Sequence, residues 1–231
     1  MQNFINDKFR DLQFESVEHK YTLDQSDIKS VSKTIENYYE QFPEGAAQRF
    51  ADKNGLSVEA VQAAWDSNNK AACDFGHYVH DFGERYYSNR NLQPRNYHEI
   101  ALVKFWNELP YTHTAVACEA RVYTRNYWYS GTFDLLIYDS ARDGYIIADY
   151  KTNKDLFKNF REKKMLSPFE ILLDNPFNHY QVQLSLYQIP LEEIGIKILE
   201  RWIVWLQPNT EYTIYKADNY TSQLRNNLKT N

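Results

Sequence analysis

GTFDLLIYDSARDGYIIADYKT, residues 131–152, decides the fold of this chain. Its spacing predicts two strands joined by a turn over Ser140–Gly144. The first strand is apolar apart from Asp134, and the second is apolar until Asp149 and Lys151. Aspartate is depleted in strands. An unpaired buried carboxylate is costly, or else takes up a proton. Asp134 and Asp149 therefore need partners, and hard divalent cations are the natural ones. Strand alternation puts Asp149 and Lys151 on one face and Tyr150 on the other. A lysine beside such a site can orient the attacking water or neutralise charge developing on a phosphate. The same residues also fit a weak surface ion pair at an exposed strand end.

A further strand is expected at 114–124 (TAVACEARVYT), and the first strand of the pair is expected to span 127–139, with Arg125–Asn126 as the turn between them. Upstream the period is helical. Helices are expected over 27–39 with Ser26 or Asp27 as cap, over 57–68 after the Asn54–Gly55 turn, over 70–88, and over 97–108 with Pro110 as the stop. Residues 14–23 read as a short hairpin or an extended entry. Downstream, 178–193 is expected to be helical, and 201–207 with 211–217 to form a hairpin around Pro208–Thr210. Only 7 Gly and 7 Pro occur, with no low-complexity linker, so one domain is expected. Its parts are an N-terminal helical extension (1–70), a core (71–217) and a C-terminal tail (218–231). Helices first and strands later define an α/β (α+β) domain with a mixed sheet.

Hydrophobic residues at 43% and charged residues at 25% are those of a globular protein. A net charge of −5 argues against coating nucleic acid by bulk electrostatics, though a local cationic strip remains compatible with it. The 2 cysteines, Cys73 and Cys118, form no CxxC pair, which excludes zinc ribbons and iron–sulfur clusters. No secretory leader and no membrane span is legible, so a cytoplasmic protein is expected.

Two more segments carry candidate chemistry. In FGHYVHDFGERYY (75–87), His80 and Glu84 share a helix face, as do His77 and His80. They read either as metal ligands or as a helix-surface pair. No HExxH occurs, which excludes a zinc protease of that kind. In NHYQVQLSLYQ (178–188), Gln183 and Tyr187 share a face. They can bond phosphates, a water or the carboxylates, or can be polar positions of a core helix. Lys154, Lys158, Arg161, Lys163 and Lys164, interleaved with Phe157 and Phe160, form a strip directly after the second strand. It reads equally as a nucleic-acid contact and as a solvated charged segment. Tyr127–Trp128–Tyr129 is a second aromatic surface or part of the sheet packing.

Together, G76-xxx-H80-xxx-E84, G131-xx-D134, D149-x-K151-T152 and Q183-xxx-Y187 form an ordered set. It resembles that of the RecB-type branch of the PD-(D/E)xK nuclease superfamily, which includes phage exonucleases similar to the lambda enzyme. The lead-in HKYTLDQSDIKSVSKTIENYY adds a weaker likeness. The resemblance implies a restriction-endonuclease-like core and a DNA nuclease of phage or bacterial origin. An exonuclease of recombination, repair or replication is the first reading. A structure-specific endonuclease and a catalytically silent binding protein are the alternatives. It further implies that His80, Asp134, Asp149 and the Tyr150 carbonyl bind Mg²⁺ or Mn²⁺, with Glu84 and Glu119 as further acidic candidates. Lys151 is then catalytic, with Gln183 and Tyr187 supporting the site. Asp149 stands where glutamate is common in the superfamily. DNA is the implied partner, with an annealing or single-strand-binding protein beside it. An oligomer is compatible, and the location is the cytoplasm, the host's for a phage protein.

Overall fold

The computed structural model describes residues 1–15, 18, 20–41 and 44–230. The chain opens with α1 (Gln2–Lys8), followed by an antiparallel ribbon of β1 (Gln13–Glu15), β2 (Lys20–Leu23) and β3 (Ser26–Ser30). The expected hairpin is β1–β2; its connecting residues 16, 17 and 19 lie outside the described residues. Asp24 and Gln25, both at positive φ (51° and 64°), make the β2–β3 turn that suits strand twist. The expected helix over 27–39 is corrected, so the N-terminal region 1–70 carries a three-stranded ribbon beside its helices. Ser26–Ser30 is a strand, and α2 (Val31–Ile35) begins only after Ser30, whose Oγ accepts the Lys33 N–H at 3.1 Å. The reason is tertiary: Lys29 and Ser30 pair in parallel with residues 129 and 130, a ladder that local periodicity does not report.

Next come α3 (Ala46–Asn54), α4 (Val58–Ser88) and α5 (Tyr97–Asn107). Gly55 at φ 65° closes α3, and Ser57 Oγ caps α4 on the Ala60 N–H at 3.1 Å. The helices expected over 57–68 and 70–88 are one. Asn68–Lys70 contains neither proline nor glycine, and nothing there breaks the backbone ladder.

The strands that follow match the expected positions: β4 (His113–Thr124), β5 (Tyr129–Asp139) and β6 (Gly144–Lys151) form an antiparallel meander. Helix α6 (Pro176–Glu193) then crosses over to β7 (Ile198–Leu206), which lies parallel to β6, and β8 (Tyr212–Lys216) returns antiparallel. The tail holds α7 (Thr221–Asn227), fixed by buried Leu224 and an Arg225–Glu192 ion pair. The order is β1-β2-β3-β5-β6-β7-β8, with β4 also on β5, so the protein is α+β with a mixed central sheet. One sheet face packs on α6 through Leu136, Ile147, Ile203, Val182 and Leu186. The other packs on α4 and α5 through Leu135, Ala148, Val204, Phe82 and Phe105. Among the described residues no helix is long and apolar enough to cross a membrane.

The sheet end opposite the DxK motif is held by charge. Glu200 accepts Trp202 Nε1 (2.7 Å) and pairs with Lys216 (3.0 Å) and Arg142. Burial alone raises the Glu200 pKa, but these partners outweigh it and hold the group at about 2, from an ordinary 4.5. Its contribution to stability is therefore present above pH 4.5 and is lost as pH falls toward about 2. Glu200→Gln is expected to flatten the fall of melting temperature across that acid range. A thermal-melt series against pH checks it, and an unchanged acid limb would show that Glu200 is not the group responsible.

Candidate metal centre

The two sheet aspartates sit where β5 changes partners. One edge of β5 pairs with β3 at Tyr129 and Ser130, then with β6 from Leu135 to Asp139. Between these ladders, Gly131–Asp134 has no strand partner on that edge among the described residues, and β6 carries Asp149, Tyr150 and Lys151 past the fork along β7. At the fork Asp134 Oδ2 accepts the Tyr150 N–H at 2.6 Å, so a side chain satisfies backbone there. Both carboxylates are buried, Asp134 at 4% and Asp149 at 2% exposure.

Three elements converge on Asp134. Helix α4 buries Val79 and Phe82 and presents His80, whose Nδ1 lies 3.1 Å from Asp134 Oδ1 and 3.7 Å from Glu119 Oε1. Strand β4 brings Glu119 from the opposite side. Flanking pairs Cys118↔Leu135 and Ala120↔Phe133 place it across from Asp134. His80, Glu119 and Asp134 offer ligand atoms all within 4.8 Å of one another, a group of the size and chemistry that holds a cation. Glu119 has φ 46°, inside a strand. A left-handed non-glycine residue costs about 1–2 kcal/mol, and such strain gathers at functional sites. Glu119→Gly is thus expected to be more stable than Glu119→Ala by about 1–2 kcal/mol while both weaken Mn²⁺ binding. Urea denaturation and Mn²⁺ titration check this, and equal stability would remove the strain argument.

Asp149 forms a close ion pair with Lys151 rather than joining that triad. The Lys151 ammonium also lies 4.2 Å from the centroid of the Tyr180 ring, a cation–π contact. Tyr180 in turn donates to Asn153 Oδ1 at 2.9 Å, and Trp205 Nε1 donates to the Asn153 carbonyl at 2.7 Å. These bonds pin the chain as it leaves β6.

The electrostatics are those of crowded acids. Burial, then the Asp134 charge, pushes Asp149 up to about 6 against the pull of Lys151 and His80. Burial likewise lifts Glu119 to about 7, with His80 opposing and Asp134 and Glu84 adding. Burial would raise Asp134 too, but His80, Lys151 and the Tyr150 N–H outweigh it and hold its pKa down. Burial pulls His80 down, and Asp134 and Glu119 more than reverse this. Lys151 is likewise raised despite its burial, by Asp149, Tyr180 and Asp134.

Helix α6 lies over this end of the sheet. Asn175 caps it on the Asn178 N–H at 2.9 Å, and Pro176 occupies its first turn. Gln183 Oε1 is buried without a hydrogen-bond partner among the described residues, an acceptor of the kind a bound water or ligand satisfies. Tyr187 is buried and feels the charges of Asp149, Asp134 and Glu119. A Cβ at Gly131 would meet Tyr187 Cε1 at 2.7 Å and Val31 Cγ2 at 3.1 Å, so that glycine is what lets the ring lie on the strand. The Tyr150 ring points away, into the opposite face with Phe105.

The remaining expected residues separate. Glu84 is exposed and stands one step out. With Glu119, Arg10 and Arg121 it lines a cleft of about 500 Å³ against α1. His77 is exposed. The strip after β6 is an irregular loop, in which Lys154, Lys158, Arg161 and Lys164 are exposed. Lys163 instead pairs with Glu40 and Asp174. Tyr180 under Lys151 escaped sequence reading, although it lies three residues before Gln183 on the same helix. No protein-family model matches the chain, and no curated protein matches it.

Proposed function

We propose that the protein is a divalent-metal-dependent phosphodiester hydrolase acting on DNA, with a restriction-endonuclease-like core. The observation that carries this reading is the meeting of His80, Glu119 and Asp134 beside the buried Asp149–Lys151 pair at one sheet fork. A binding protein gains nothing from burying two aspartates together, where burial and the charge of Asp134 raise the pKa of Asp149. The mixed sheet flanked by helices fits the core that the motif order implies.

The donor set, one imidazole and carboxylate oxygens, fits Mg²⁺ or Mn²⁺. His80, Glu119, Asp134 and Asp149 would hold the ion with the Tyr150 carbonyl, and Glu84 would act through its charge. The bound ion supplies Lewis acidity and a water of lowered pKa. Lys151, leaving its pair with Asp149, is placed to steady charge that develops on the phosphate. Gln183 offers its free acceptor to the attacking water, and Tyr187 holds the α6 side of the site. Among the described residues no separate element for sequence readout stands beside the core, which argues against a restriction-type endonuclease.

The test incubates the protein with end-labelled linear DNA and closed circular DNA in Mg²⁺, Mn²⁺ or EDTA. Cleavage of linear DNA that EDTA abolishes is expected. Absence of cleavage under every condition sinks the reading and leaves a silent binding protein. Cutting of closed circles points to an endonuclease instead.

A further inference from the structure

The loop after β6 holds a feature that the metal centre does not use. Its base is firmly held. Leu156 is fully buried, Asn159 Nδ2 donates to the carbonyls of Lys163 (2.9 Å) and Asp174 (2.8 Å), and Lys164 bridges to Leu173. Lys163 Nζ pairs with Glu40 at 3.2 Å and Asp174 at 3.3 Å. At its tip the chain reverses over Phe160–Lys163, with the Lys163 N–H on the Phe160 carbonyl at 3.2 Å. The central residues Arg161 and Glu162 both have positive φ, 57° and 53°. That turn normally selects asparagine and glycine, and L-residues with long side chains adopt it at a cost.

The turn holds Phe160 out, 71% exposed, with the Arg161 guanidinium 5.0 Å from its ring centroid. No second ring packs on it among the described residues. Phe157 differs: its ring lies 5.0 Å from Phe177 and 5.3 Å from Tyr215 and belongs to the packing. Between residues 154 and 164 the exposed cations Lys154, Lys158, Arg161 and Lys164 outnumber the acids Asp155 and Glu162. Glu170 and Asp174 lie further along the loop, Asp174 already paired with Lys163 and His179. A cationic loop on a chain of net charge −5, carrying one unpaired aromatic ring, matches a phosphate-backed strand whose bases are free to stack.

We propose that the Phe160–Arg161 tip stacks on an unpaired nucleobase and holds a single-stranded stretch of the substrate beside the metal centre. This deepens the hydrolase reading and rests on it for the kind of polymer bound. Phe160 then supplies the stacking face, Arg161 backs it, and the lysines hold flanking phosphates.

The experiment titrates the intact protein, in Ca²⁺, with short single-stranded oligodeoxynucleotides carrying one 2-aminopurine or one abasic position. Stacking is expected to change the 2-aminopurine fluorescence. Phe160→Ala is expected to weaken binding roughly tenfold, the loss of one base–aromatic stack, with an unaltered salt slope because phosphate contacts remain. Phe160→Trp is expected to restore binding, and Lys158→Ala to lower the salt slope. An abasic position should weaken the wild type but not Phe160→Ala. Phe160→Ala binding as tightly as the wild type, or a wild type that binds no single strand, overturns the proposal. Hydrolysis of bis(p-nitrophenyl) phosphate, too small to span loop and site, judges the hydrolase reading separately. Its persistence while Phe160→Ala binds single strands as tightly as the wild type discards the stacking role alone. Stacking without any hydrolysis discards the hydrolase reading and leaves a strand-binding loop.

Discussion

Asp134→Asn is expected to abolish metal-dependent cleavage and to weaken Mn²⁺ binding by at least about 100-fold, the upper end of what losing an outer-shell partner costs. Asp134 stands at the middle of the centre: it meets His80 at 3.1 Å and the Tyr150 N–H at 2.6 Å, feels the charge of Lys151, and its own charge acts on Asp149 and Glu119. It is also the acid whose pKa is held down, so it is ionised and ready to bind a cation when its neighbours are not. Asparagine keeps an oxygen for the Tyr150 N–H, so the fork persists and the lost charge is read alone. Asp134→Ala adds a second effect, since it leaves a buried N–H unsatisfied at about 1–3 kcal/mol. Mn²⁺ titration followed by electron paramagnetic resonance, with cleavage of end-labelled DNA in parallel, separates the two variants. If Asp134→Asn binds Mn²⁺ like the wild type, the centre does not lie here.

Lys151→Met is expected to act twice. Cleavage should fall by about 10²–10³-fold, as when a group that stabilises transition-state charge is removed. Stability should fall as well, by about 3–5 kcal/mol, the range for leaving one partner of a buried ion pair uncompensated. Lys151 is the cation nearest Asp149, and its other neighbour, Tyr180, offers only a ring face. Excess Mn²⁺ should recover much of the stability, because a bound cation compensates Asp149, while the rate stays low. Urea denaturation with and without Mn²⁺, beside single-turnover cleavage, measures both arms. Full activity in Lys151→Met would remove its catalytic role. A stability loss that Mn²⁺ leaves untouched would separate the lysine from the metal centre.

The strands between 113 and 151 were legible because they are long and apolar and are bounded by turns that admit few conformations. The same clarity made Asp134 and Asp149 visible as residues out of place. Helix α6 was legible from residue 178 to Glu193, but its start at Pro176 behind the Asn175 cap was not read. The strand at Ser26–Ser30 was not, because SDIKS carries a single apolar residue among four polar ones and so reports neither period. The join of two expected helices into α4 escaped for a related reason: a polar surface stretch looks like a break when tertiary exposure is unknown.

Sequence alone offered the candidate side chains for a metal site and their order along the chain. His80, Asp134, Asp149, Lys151, Gln183 and Tyr187 were picked out by residue type and spacing, and their roles were implied by the family resemblance. The tertiary structure decided how they divide. Glu119, one acid among several along the chain, enters the centre because it faces Asp134 across a ladder and its backbone turns left-handed there. Glu84, on the same helix face as His80, is left outside at the cleft. The physical reason is that helix spacing places residues only relative to their own helix. Which of them reaches a sheet carboxylate depends on where β5 exchanges one partner strand for another, and that exchange rests on pairings between residues a hundred positions apart, such as Lys29 with Tyr129.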